Sequence, residues 1–166
     1  MALDFSLGIS WQFGALAVLS MLAFPFFKGR YAFLAGAACY SMVDLLPAAL
    51  GAQGTVGAWT LTGSLAWGLV AFLYSRQKPN GSAFTFATLG IGGTLLFDAI
   101  TGPIASTFIW GMPFSDSLIG QIPFTLKHLL GVAAISLILA PLLFPSAKKV
   151  ISTRRWMVLK TLPAEA

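Results

Sequence analysis

Four ionisable side chains interrupt otherwise apolar stretches of this 166-residue chain: Asp44, Asp98, Lys127 and His128. In hydrocarbon such a group costs about 2.5–3.5 kcal/mol on insertion scales, so each one needs a partner or a cavity. His128 is the sole histidine and Cys39 the sole cysteine. That is too few ligands for a metal knuckle or a catalytic zinc, and no disulfide framework is available. Cys39 reads as a small packing residue inside an apolar run. The neutral imidazole of His128 can instead give and accept a hydrogen bond to a polar ligand. Asp44, near the end of its stretch, reads as a solvated or capping carboxylate.

Enzyme templates fail. The chain contains no GxSxG, HExxH or GxxxxGK[ST] string and no paired carboxylates outside the apolar stretches,. No catalytic residue, metal or cofactor is expected. Any energy input has to come from a partner or a gradient, because no phosphate-binding loop is present. A membrane enzyme using His128 as acid or base would need a second titrating group beside it.

These groups are positioned by apolar helices. Hydrophobic residues make up 57% of the chain and charged residues 9%, with a mean hydropathy of +0.85. A water-soluble globule carries about 25% charged residues, so this surface is expected to face lipid. Five segments are long and apolar enough to cross a bilayer: residues 11–27, 31–50, 56–74, 83–111 and 117–144. The expected fold is an all-α, five-span transmembrane bundle forming a single domain over 1–166, with 145–166 as a basic cytoplasmic tail. No Lys or Arg precedes the first apolar run, so that run is expected to be a retained span and not a cleaved leader.

Charge sets the orientation. Lys28 and Arg30 follow the first span, Arg76 and Lys78 the third, and Lys148, Lys149, Arg154, Arg155 and Lys160 the fifth. Five crossings put all of these on one face, the cytoplasmic one by the positive-inside rule. The net charge of +5 is thereby explained by loops, and the bases form no continuous face for nucleic acid. A further short helix within Thr101–Phe124 would make six crossings and move the first two loops outside; the charge pattern favours five. The expected location is the inner (plasma) membrane, as a multi-pass protein.

The fourth and fifth spans exceed a simple crossing, and each contains a proline, at Gly102-Pro103 and Ile122-Pro123, where a kink or break is expected. Antiparallel packing of these consecutive spans would bring Asp98 near Lys127 or His128. The same outer half carries Trp59, Phe97, Trp110, Phe114 and Phe124. Trp59 and Trp110 also suit an interfacial belt, whereas Trp67 lies deeper. Aromatic walls with a few convergent polar groups suit a small-molecule site. Thr60, Ser64 and Gly68, with Ala32 and Gly36, form small-residue faces for close helix packing. Gly90, Gly92 and Gly93 would admit another backbone to the fourth span.

The string Leu96-Phe97-Asp98-Ala99-Ile100-Thr101-Gly102-Pro103, with Gly120-Gln121-Ile122-Pro123-Phe124-Thr125-Leu126-Lys127-His128-Leu129-Leu130-Gly131 after it, resembles the C-terminal half of the substrate-binding subunits (S components) of energy-coupling-factor (ECF) transporters. Phe33-Leu34-Ala35-Gly36-Ala37-Ala38, Ala58-Trp59-Thr60-Leu61 and Ala66-Trp67-Gly68-Leu69 resemble that group's second and third helices. The resemblance covers about Tyr31 to Phe144. It implies capture of a vitamin or similar micronutrient from outside, with a membrane coupling protein and two cytosolic ATPases as partners. It adds Thr101 and Gln121 to Asp98, Lys127 and His128 as ligand-site candidates, with Trp59, Trp67 and Trp110 as walls. The alternative is a structural or accessory subunit of a larger membrane complex, in which Asp98 and Lys127 tie helices together.

Overall fold

A computed structural model of the chain describes residues 16–49, 56–78 and 81–161. Among these, every regular element is helical and no strand occurs. Helix α1 is Leu16–Phe26 and closes in a 3-10 turn, Phe24–Phe26, with Pro25 inside it. Helix α2 is Gly29–Ala49, α3 is Ala58–Ser75 and α4 is Ala83–Ala99. A π turn, Ile100–Ile104, leads into the short α5, Ala105–Trp110, and α6 runs from Phe114 to Thr161. With α4, the π turn and α5 taken as one rod, the described residues form five rods. Residues 11–15 of the first expected span lie outside the described residues, as do residues 50–55 and 162–166.

Two rods are long and apolar enough to cross a membrane: Ala83–Trp110, of 28 residues, and Phe114–Ser146, of 33 residues. At 1.5 Å per residue they measure about 42 and 50 Å. Helices α2 and α3, also expected as spans, have 21 and 18 residues. The stretch after Phe144, set apart above as a tail, continues the same helix without interruption to Thr161. At 48 residues α6 therefore outruns its antiparallel partner.

The two prolines behave differently. Pro103 cannot donate to the carbonyl four residues back, and the α-helix gives way around it to the wider π turn,. At Pro123 the helix is unbroken, as it is at Pro141 and Pro145. There the lost donor is one bond in a long helix whose neighbouring turns remain intact.

Two antiparallel helix pairs make the bundle: α2 packs most extensively on α3, and α4 on α6. Small residues set the first seam. A Cβ on Gly36 would meet Ala71 Cβ and lie 3.0 Å from the Trp67 carbonyl oxygen, and one on Gly68 would lie 3.0 Å from the Phe33 carbonyl oxygen. Ser41 and Ser64 share a hydrogen bond of 2.8 Å across it. In the second seam Gly90 faces Val132 and Ser136, and Phe86 meets Phe144 edge-on at 5.4 Å. Tyr74 joins the pairs: its ring ends over Gly93, and its hydroxyl donates to the Leu89 carbonyl at 3.0 Å. The core where the pairs meet contains Ala17, Val18 and Met21 of α1 with Trp67, Val70, Phe86, Phe97 and Val132.

The distribution of side chains is inverted relative to a water-soluble globule. Leu34, Phe84, Phe108, Leu130 and Leu142 are each more than 60% exposed, whereas Ser20, Thr60, Ser64, Thr94, Thr101, Ser117 and Ser136 are buried. Large apolar groups outside and small hydroxyls inside fit helices that associate by close packing and hydrogen bonds in lipid. Cys39, expected to be a packing residue, is exposed on α2.

The α2–α3 seam yields a paired test. Gly36→Ala is expected to destabilise the protein by about 1–3 kcal/mol, because its methyl group meets a backbone carbonyl that cannot give way. Gly92→Ala, with open space around its Cβ, should be neutral or stabilising by up to about 1 kcal/mol through helix propensity. Thermal unfolding in detergent measures both.

Candidate functional site

The candidate site lies where the π turn meets α6. Asp98 is on the last turn of α4, its side chain 3% exposed, and His128 is on the facing side of α6, 14% exposed. His128 Nδ1 lies 3.0 Å from Asp98 Oδ1 and 3.2 Å from Oδ2. Against an ionised Asp98, which can only accept, Nδ1 is the atom that donates in this contact. This fixes the imidazole in one orientation and leaves Nε2 as its other polar face. The neighbouring Phe97 anchors the same turn, with ring contacts to Tyr40 at 5.4 Å and Trp67 at 5.5 Å.

Of the two expected neighbours of Asp98, Lys127 and His128, it is His128 that makes the contact, so a tie of Asp98 to Lys127 is not what joins the helices. Adjacent helical residues point about 100° apart, so only one of the two faces α4. Lys127 is on the exposed side of α6.

A groove with a volume of about 240 Å³ runs beside the pair. Its exposed lining is almost wholly apolar, with Pro103, Leu95 and Ile122 as wall, and Asp98, Gln121 and Thr125 contribute only a small polar share. Two local features make room for it. Pro103 forces the π turn, which bulges the α4–α5 rod, and a Cβ on Gly102 would collide with the Gln121 side chain. Gln121 therefore lies flat against the turn and donates from Nε2 to Thr125 Oγ1, 3.4 Å away. Leu95, Ala99, Leu118, Ile122 and Leu126 at the rim are exposed, so the groove opens sideways, through apolar surface.

The remaining candidates lie elsewhere. Thr101 is buried and donates its hydroxyl to the Phe97 carbonyl at 2.9 Å, which satisfies it within its own helix. Trp67 is fully buried, and its indole N–H donates to Ser20 Oγ at 3.2 Å; it is a core residue between α1 and α3. Trp59 and Trp110 meet each other with centroids 5.2 Å apart and their rings tilted by 47°, both nearly half exposed, away from the groove lining. The side chain of Asp44 lies outside the described residues.

Sequence reasoning missed Thr125, although its place one turn after Gln121 was a usable signal. It also missed Thr94 and Ser136, buried in α4 and α6 with hydroxyls that lack a hydrogen-bond partner. Thr94 is one turn below Asp98, and Ser136 Oγ lies against Gly90. Buried hydroxyls on α4 and α6 thus continue the polar character of this seam inward. Among the described residues no group of three or more His, Cys, Asp or Glu is placed to hold a metal ion.

No family model matches the chain, and no curated protein or solved structure matches it. Chemically, the arrangement offers one oriented imidazole, one buried carboxylate and one primary amide. Asp98 is the second titrating group that an acid–base role for His128 would require. The groove lining, however, contains a single hydroxyl, that of Thr125, which already accepts from Gln121.

The pair makes a sharp prediction. His128→Ala leaves a buried carboxylate without its donor and is expected to destabilise the protein by about 3–5 kcal/mol. Lys127→Ala, on the exposed side, should change stability by less than about 0.5 kcal/mol. Adding Asp98→Asn to His128→Ala should recover part of the loss, as thermal unfolding of all three variants would reveal.

Proposed function

We propose that the chain is a multi-pass protein of the inner (plasma) membrane that captures a small polar solute, of the vitamin or vitamin-precursor class, in the groove between α4 and α6. The carrying observation is the buried Asp98–His128 pair bordering a groove that also presents Gln121 and Thr125. A carboxylate and an amide beside apolar walls suit a solute with its own hydrogen-bonding groups. Asp98 fixes geometry through His128, Gln121 hydrogen-bonds the solute, and the leucine and isoleucine rim encloses its apolar part.

Five crossings with a cytoplasmic C-terminus are supported by the charges. The ends of α1 and α3 and the Phe144–Lys148 stretch of α6 meet at one end of the bundle, the end that also carries Lys28, Arg30, Arg76 and Lys78. The likeness of the α4–α6 strings to ECF S components supports the same reading. It adds a membrane coupling protein and cytosolic ATPases as partners that would drive release inside.

A second reading is favoured by one detail: His128 engages both oxygens of Asp98. The pair then serves as a helix tie in an accessory subunit without its own ligand.

Ligand-induced stabilisation separates the two. A bound solute at a hundred times its Kd raises stability by about 2.7 kcal/mol. One member of a vitamin panel is expected to shift the unfolding midpoint, and Gln121→Ala is expected to abolish that shift with little change in basal stability. No shift with any compound would favour the accessory subunit. Topology is checked with single cysteines in a Cys39→Ser background. A cysteine at position 149 should react only with reagent admitted to the cytoplasmic side, and one at position 112 only from outside.

A further inference from the structure

We propose that the basic end of the bundle holds the phosphate of an anionic phospholipid between Lys78 and Lys148. This rests on the membrane reading above and concerns a site separate from the solute groove. A cavity of about 210 Å³ lies there, lined by Pro25, Phe26, Gln77, Lys78, Phe144 and Lys148. It joins three parts of the chain: the end of α1, the connection after α3, and α6.

The chemistry of the lining is two-sided. Lys78 and Lys148 both line the cavity, and an anion there would relieve the repulsion between their positive charges. Each has three donors, and the Gln77 amide adds two more, a set matched to phosphate oxygens. The two arginines of this end are otherwise engaged. Arg30 lies over the Tyr31 ring and Arg76 over the Phe72 ring, each at 4.8 Å, which leaves the lysines as the cations of the cavity. The acids whose side chains are described are Asp98 and Asp116. Both are far along their helices, toward the opposite end, so no described carboxylate competes for the lysines.

The apolar wall distinguishes a lipid from a free phosphate. Phe144 is held in place by Phe86, edge-on at 5.4 Å, and by Gly81, whose positive φ of 84° and missing side chain let its backbone approach the ring. A Cβ there would lie 3.0 Å from Phe144 Cδ1. Phe26, 42% exposed, and Pro25 complete a hydrophobic shelf beside the two ammonium groups. A phosphate with acyl chains fits both halves; inorganic phosphate fits one. Basic pockets at the cytoplasmic boundary recognise anionic headgroups, each lysine contributing about fivefold in affinity.

The test uses the full chain in nanodiscs of phosphatidylcholine, alone or with phosphatidylglycerol, read by native mass spectrometry for retained lipid and by thermal unfolding. Wild type is expected to retain phosphatidylglycerol and to unfold at a higher temperature with it. Lys78→Gln with Lys148→Gln is expected to lower retention by about tenfold or more. Lys28→Gln with Arg30→Gln removes the same charge from the same end but away from the cavity, and should retain the lipid. Equal loss in both double variants would mean diffuse attraction and overturn the site. Equal stabilisation by inorganic phosphate in neutral discs would overturn the lipid as its occupant. Incorporation with no preference for phosphatidylglycerol would overturn the proposal and leave the membrane reading standing. Failure to incorporate into either disc would overturn both.

Discussion

A carboxylate that is almost fully enclosed has to be met by a donor, and at Asp98 that donor comes from another helix. The contact with His128 links α4 to α6 just before the π turn, so it selects which residues of the two rods can face each other. With 98 opposite 128, Gly90 comes opposite Val132 and Ser136, and Gly102 opposite Gln121. A one-residue rotation of α6 would replace His128 with Lys127 or Leu129 and move the glycines off their partners. The groove, the position of Gln121 and the buried hydroxyls all follow from this register.

The register is affordable because the rest of the interface is made of small groups. Helices in lipid gain no hydrophobic driving force from touching, so they rely on close approach and internal hydrogen bonds. Gly36, Gly68, Gly90 and Gly93 each accept a neighbour where a side chain would otherwise be. Ser41 with Ser64, Trp67 with Ser20, and Tyr74 with the Leu89 carbonyl satisfy polar groups across the seams. The large apolar side chains are consequently left for the outside.

Proline has two outcomes in this chain, and the difference bears on the site. At Pro103 the backbone widens into a π turn, and the neighbouring Gly102 leaves the room that the Gln121 side chain occupies. At Pro123 α6 continues as an α-helix. The widened turn brings Pro103 to the wall of the groove and gives Gln121 a surface to lie on. A functional reading therefore attaches to this turn more than to the proline as such.

The all-helical class, the limits of α2, α3 and the α4–α5 rod to within two residues, and the small-residue faces were legible in the sequence. They follow from local rules, hydropathy over a fixed length and spacing along a helix. The neighbourhood of Asp98 and residues 127–128 was also legible, since consecutive antiparallel rods must bring those positions to similar depth. Depth does not determine azimuth, however, and choosing His128 over Lys127 required the rotation of α6 about its axis. The rotation of α3 likewise decided that Trp67 is core, whereas the bonds of Thr101 to Phe97 and of Gln121 to Thr125 join residues four apart in one helix and are local. Rotation is set by many weak packing contacts between distant segments, and no local pattern in a sequence encodes their sum.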